Sequence, residues 1–306
     1  MDTMQSNFFL QSSKKHHNLD NFELDLLEDK DIKALFETYT INMKEVLYVV
    51  QSSFNLILHA TLKEHANMKY QQNKMSVIAD VLRGKCSEGT QEMGEETQRR
   101  TDKQIEEEGF PDEDILNQVA STLNSLEHDQ VIEISNYSVL RQSVVIIWSA
   151  TESLIRDVIR TLLNHDIELA NKFFESSDTK PYWNKKNITY DHLRNNNFNV
   201  QENMGDIALE INPCSYLNTM KSAFLCLFGH ESKSYVAIKG RSFFLLYKLR
   251  NVIAHRNGIV DEKYKLETGF DGQVGERIKV MPDDFTENYL ASKKLAISLL
   301  QELSNK

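Results

Sequence analysis

Glycine, proline and cysteine are all scarce in this chain. Average usage would place about 21 glycines and about 15 prolines in a protein of this length, whereas the 306 residues contain 11 and 4. Sandwiches and barrels of short strands need such residues at every tight turn. The shortfall excludes them and makes an all-α fold of long helices the expectation. Only Cys86, Cys214 and Cys226 carry thiols, with no CxxC spacing among them. A disulfide framework or cysteine-rich zinc site needs more, so a reducing cytoplasm and three inert thiols are expected. Long apolar runs are absent too. The longest, Val144 to Trp148, stops after five residues, against the roughly 18 to 20 that span a bilayer. Phe8-Phe9-Leu10 lacks the preceding basic residues and the length of a signal peptide. Neither a Walker A loop nor a GxGxxG turn occurs, and no His, Asp and Glu set has ligand spacing. Nucleotide hydrolysis, dinucleotide redox chemistry and metal-dependent cleavage have no foothold, so no cofactor and no metal are expected.

What the chain does contain is acid, unevenly spread. The formal net charge is −10. From Glu88 to Asp114 there are eleven acidic residues against Arg99, Arg100 and Lys103, with few large apolar side chains and several glycines. Such composition predicts a solvated linker or exposed insertion over 86–110. It would separate an N-terminal helical region, 1–85, from a second domain, 111–306, and two domains suit the length. In the first region, Ile41, Val46, Leu47, Val50, Phe54, Ile57 and Leu58 recur at three- and four-residue steps without Pro or Gly, predicting two or three helices up to Leu82.

After the linker, Pro111 and the acids behind it suit a helix start. The apolar face Val144, Ile147, Trp148, Thr151, Leu154, Ile155, Val158 and Leu162 predicts a long helix over 138–164. A short helix over 167–174 follows, then a long polar loop over 176–203. Further helices are expected over 216–228 and 240–257, the last ended by Gly258 in the left-handed region. The alternation Arg277-Ile278-Lys279-Val280 suggests one small β-hairpin between Gly269 and Met281. A closing helix capped by Asp283 or Asp284 would run from about Glu287 to Leu303.

One local motif carries chemistry. In Lys248-Leu249-Arg250-Asn251-Val252-Ile253-Ala254-His255-Arg256-Asn257-Gly258, an Arg-Asn pair precedes a His by five and four residues near a helix end. At about 100° per residue, Asn251 and His255 lie about 40° apart around the axis, but Arg250 lies about 140° from His255. One helix cannot focus both on one small target, whereas two copies related by a twofold axis can. Around the motif, Lys233, Lys239, Arg241, Lys248, Arg250 and Arg256 face a single acid, Glu231, between Gly229 and Val260. A basic stripe inside an acidic chain suits a polyanion partner, although charges at this density also simply solvate a helix face. Likewise Arg250 and His255 could merely complement the dipole at a helix C-terminus. Glu152 stands four residues before Arg156, the spacing of a surface pair; alternatively its carboxylate positions Arg250 or His255 from the neighbouring helix. Trp148, Phe243, Phe244 and Tyr247 suit a core or interface better than base-stacking platforms.

The stretch resembles the Arg-x4–6-His signature of the HEPN superfamily, in the form where Asn follows Arg. The likeness extends over about 130–304 and includes Glu152, where many members carry an acid. It implies a helical bundle of HEPN type, here with an additional N-terminal helical region. It also implies a homodimer that cleaves RNA without metal through Arg250, Asn251, His255 and Glu152, leaving 2′,3′-cyclic phosphate and 5′-hydroxyl ends. Imidazole exchanges protons near neutral pH, and a guanidinium fork suits phosphate oxygens. Lys248, Arg256, Arg241 and Lys239 are the expected RNA-binding residues. Members often act as toxins or antiviral effectors, so an antitoxin or sensor partner is implied. Two other readings compete: a non-catalytic HEPN-like module that binds RNA or protein, and a purely structural helical interaction protein.

Overall fold

The structure is a computed structural model that describes residues 24, 27–85, 89–108, 113–126, 129–183 and 189–304. Phe8-Phe9-Leu10, Cys86 and Pro111 lie outside these. The fold is all-α. Thirteen helices lie among the described residues: α1 Lys30–Leu82, α2 Thr90–Glu108, α3 Glu113–Leu126, α4 Gln130–His165, α5 Ile167–Glu175, α6 Lys180–Trp183, α7 Tyr190–Asn195, α8 Met204–Ile211, α9 Leu217–Phe228, α10 Lys233–Lys239, α11 Arg241–Arg256, α12 Glu262–Thr268 and α13 Pro282–Leu303. Among them no helix is long and apolar enough to cross a membrane. Packing divides the chain into two compact units, one containing residues 51–135 and the other residues 27–50 and 136–304.

In the first unit, the acidic stretch expected to be a solvated linker or exposed insertion holds the helix α2. Its charges are paired rather than merely solvated. Glu96 accepts from Arg99 at 2.7 Å and from Arg100 at 2.7 Å, and Arg100 also reaches Asp80 on α1 at 3.0 Å. Hydrogen bonds from Arg99 and then Arg100 hold the Glu96 carboxyl down at about 2. Asn73 of α1 donates to Thr101 and Gln104, so polar groups do the work that apolar ones do elsewhere. Phe54, Ile115 and Val119 form a small apolar cluster beside Ile57, Leu58 and Leu62. The two or three helices expected up to Leu82 are one, α1, because nothing in its 53 residues breaks the ladder.

In the second unit, the predicted face of α4 is the core. Val144, Ile147, Trp148, Ile155, Val158 and Ile159 are fully buried. Phe285, Leu295 and Leu299 of α13, Phe36 and Val46 of α1, and Phe243 and Leu246 of α11 are buried as well, with Phe243 against the Trp148 ring. α10 and α11 both pack on α13, and α9 packs on α10 and α5. Three buried hydroxyls tie this core together: Ser292 Oγ lies 2.7 Å from Tyr39 Oη and 2.6 Å from Thr151 Oγ1. α8 approaches α4 so closely that a β-carbon on Gly205 would lie 2.1 Å from the Arg160 carbonyl oxygen. Gly205 N–H donates to Asn164 at 2.6 Å, and Asn164 donates to Asp206 at 2.8 Å.

Two local expectations change. The polar 176–203 stretch holds α6 and α7, anchored by Trp183, which is buried, stacks edge-on to Phe173 and donates to the Ala208 carbonyl at 3.0 Å. No hairpin forms between Gly269 and Met281 among the described residues. Instead Arg277 pairs with Ile259 just beyond α11, with Val260 N–H to Glu276 O at 2.9 Å and Ile278 N–H to Gly258 O at 2.8 Å. The alternation buries Ile278 and Val280, and the pairing partner is the exit from α11 at an isolated bridge rather than a second strand. α13 begins at Pro282 rather than Glu287, with Asp284 accepting the Met281 N–H at 2.8 Å.

Candidate functional site

The segment Arg241–Arg256 forms α11 without interruption, and its apolar side, Phe243, Leu246, Leu249, Val252 and Ile253, is buried. The helix ends with two residues in the left-handed region, Asn257 at φ 52° and Gly258 at φ 76°. Gly258 N–H reaches back to the Val252 carbonyl at 3.0 Å, which satisfies an otherwise open acceptor of the last turn. Asn tolerates this conformation and Gly favours it, so the Asn-Gly pair stops the helix just past His255.

Arg250 faces α4. Its Nη2 lies 3.6 Å from Glu152 Oε2, the oxygen that also accepts from Trp148 Nε1 at 2.7 Å. The guanidinium carbon sits 5.9 Å from the Trp148 ring centroid, and Nη1 donates to Asn251 Oδ1 at 3.0 Å. The Trp148 ring is fully buried against Phe243 and Tyr247, so it forms a rigid floor. With side-chain exposures of 14% for Glu152 and 23% for Arg250, water screens this pair only in part. Three of the four expected catalytic residues, Arg250, Asn251 and Glu152, are thus joined in one network. His255 is not: it is exposed and makes no hydrogen bond or ion pair among the described residues.

The i, i+4 pair of Glu152 with Arg156 does not form, because Glu152 is committed to Arg250 and Trp148. Arg156 makes no hydrogen bond or ion pair among the described residues, and its Nε is buried and unpartnered. Nearby, burial pushes the Cys214 thiol up to about 12, opposed by a hydrogen bond with Thr219. Cys214 and Cys226 are buried free thiols, unsuited to nucleophilic work.

The basic stripe is largely spent inside the molecule. Lys248 pairs with Glu267 at 2.5 Å, and Arg256 with Asp261. Arg241 donates to the carbonyls of Glu267 and Thr268. Lys239 alone of the four lacks such a bond. It lies 5.6 Å from the Tyr235 ring centroid, and its charge, after burial, holds the Lys221 amine below its usual range.

Cations that sequence reasoning missed gather at the exit from α11. The Arg141 side chain of α4 and the Arg277 side chain of the paired segment both flank Gly258, whose added β-carbon would lie 3.5 Å from Arg141 Cδ and 3.7 Å from Arg277 Cγ. Lys279 lies 5.0 Å from the Tyr137 ring centroid. No spacing rule could have found this group, since it joins residues 137–141 to 277–279 through tertiary packing. The same holds for Asp29, Asp31 and His165, whose donor atoms lie within 4.8 Å of one another beside a cavity of about 340 Å³. There the imidazole is already engaged, with Nδ1 3.2 Å from Asp29 and Nε2 3.3 Å from Asp31. Comparison of the chain with family models, curated proteins and solved structures finds no match.

Proposed function

We propose that the chain is a metal-independent endoribonuclease of HEPN type that acts as a homodimer. The observation that supports this most is the contrast between the two ends of its motif. Arg250 is held against Glu152, Asn251 and the Trp148 ring, whereas His255 is exposed and unpartnered among the described residues. A fixed cation suits charge that builds on a phosphate, and an unengaged imidazole suits proton transfer. Because the two point to different sides of one helix, a twofold axis is needed to bring an Arg250 and a His255 to the same phosphate. The substrate's 2′-oxygen attacks phosphorus and gives its proton to one His255. The phosphorus–O5′ bond breaks as O5′ takes a proton from water, and the imidazolium of that same His255 gives its proton to the hydroxide left behind. The products are a 2′,3′-cyclic phosphate and a 5′-hydroxyl, with no net redox change. A toxin or antiviral role in the cytoplasm, held in check by an antitoxin or sensor protein, belongs to the same proposal.

The test is RNA cleavage by the purified protein in excess EDTA, beside His255→Ala. Loss of about 10²- to 10⁴-fold in rate is expected for removal of a general acid or base. Cleavage that survives the substitution unchanged overturns the assignment. A second reading, a non-catalytic module of the same type that binds RNA or protein, is favoured by the internal pairing of Lys248, Arg256 and Arg241. It predicts that wild type and His255→Ala bind alike and neither cuts.

A further inference from the structure

The exit from α11 carries a charge arrangement that internal packing does not explain. Two guanidinium side chains, Arg141 and Arg277, flank Gly258. They sit close enough for the Arg277 charge to add to the effect of burial in holding the Arg141 guanidinium below its usual range. Arg141 has one hydrogen bond, to the neutral Ser138 hydroxyl at 2.9 Å. Neither arginine makes an ion pair with a carboxylate among the described residues. In a chain whose acidic residues outnumber its basic ones by 45 to 35, two like charges side by side without a counterion are unfavourable unless something anionic joins them.

Their supports are rigid. The backbone of Ile278 is tied to Gly258 at 2.8 Å and that of Glu276 to Val260 at 2.9 Å, which fixes the path of residues 276–278. Along this extended path Ile278 and Val280 are buried while Arg277 and Lys279 are exposed, so the two cations share one face about 6.6 Å apart. Tyr137 and Arg141 are one turn apart on α4 and match them, Arg277 beside Arg141 and Lys279 over Tyr137. The result is a short track of cations with one aromatic ring, three residues beyond His255.

We propose that Arg141, Arg277 and Lys279 bind successive phosphates of a single-stranded RNA and lead it toward His255, with Tyr137 as a stacking surface beside them. That the polyanion is RNA rests on the nuclease reading above; the track itself rests on the packing at Gly258. Cationic contacts of this kind leave a measurable signature, because each phosphate neutralised on a single strand adds about 0.7 to the slope of log affinity against log salt concentration.

The experiment is fluorescence anisotropy on the full chain with a labelled 2′-O-methyl RNA, which cannot be cut by its own 2′-oxygen. Salt is titrated for wild type, Arg277→Gln, Arg141→Gln with Arg277→Gln, and Lys172→Gln as a control on an exposed cation of α5. The double variant is expected to bind at least about tenfold more weakly, with a slope smaller by about 1.4, while the control matches wild type. Arg277 is exposed and its replacement leaves the core untouched, so the single variant reports even where the double variant is less stable. An unchanged slope in Arg277→Gln and in the double variant overturns the track, as does a wild type that binds no RNA. Loss of slope in a protein that never cleaves RNA keeps the track and removes the nuclease. Cleavage that depends on His255 with unchanged slopes removes the track and keeps the nuclease.

Discussion

Replacing Glu152 by Gln keeps an oxygen able to accept from the Trp148 indole at 2.7 Å but removes the charge that faces Arg250 at 3.6 Å. At that separation and an effective dielectric constant of about 20, the gross attraction is about 4–5 kcal/mol. Desolvation of two partly buried ions consumes most of it. Exposures of 14% and 23% leave room for screening, so a net coupling of about 1–2 kcal/mol is expected. Because Gln has nearly the same volume, no cavity term intrudes. A double-mutant cycle of Glu152→Gln with Arg250→Met, read by urea denaturation, isolates this coupling. In the same variants the nuclease account predicts that Glu152→Gln lowers kcat/KM by about tenfold to a hundredfold, because Arg250 loses the contact that orients it. A coupling below about 0.5 kcal/mol together with unchanged kcat/KM would refute the reasoning, since the pair would then neither hold the fold nor place the guanidinium.

Gly205→Ala would force a β-carbon to 2.1 Å from the Arg160 carbonyl oxygen, so α8 must move from α4 and strain the Gly205–Asn164 bond at 2.6 Å. A loss of about 2–4 kcal/mol and a fall in Tm of about 5–10 °C are expected, measured by thermal and urea unfolding. Glu96 has a carboxyl held at about 2 against an ordinary 4.5, so its contribution to folding is complete above about 4.5 and disappears as pH falls through about 2. Side-chain NMR titration of Glu96 should place its midpoint near 2, and a midpoint near 4.5 would show that the Arg99 and Arg100 contacts do not persist in solution.

The all-α character was legible because helix needs only uninterrupted periodicity, and the face of α4 named from spacing is the face that is buried. The end of α11 was legible for a similar reason: Asn257-Gly258 is a local stop signal, and the structure places both residues in the left-handed region. The helix within the acidic stretch was not legible because it depends on pairing of Glu96 with Arg99 and Arg100 and of Arg100 with Asp80, which composition does not display. Arg277 to Val280 showed the right alternation but not its partner, because strand pairing with Ile259 is a tertiary choice. Within the candidate site, the alternatives for Glu152 could be stated from sequence, but only packing shows the carboxylate turned to Arg250 rather than Arg156. Spacing also could not foresee that Lys248, Arg256 and Arg241 are engaged internally while Arg141 and Arg277 stand together.

The central claim is that an Arg250 and a His255 from two different subunits serve one phosphodiester. Subunit mixing tests it directly: Arg250→Gln and His255→Ala proteins, each inactive alone, are unfolded together, refolded and assayed on RNA in EDTA. Random pairing yields half mixed dimers, each with one complete Arg–His pair, so about a quarter of wild-type activity should return. No recovery in a mixture shown to contain mixed dimers would contradict the account, as would activity in either variant alone.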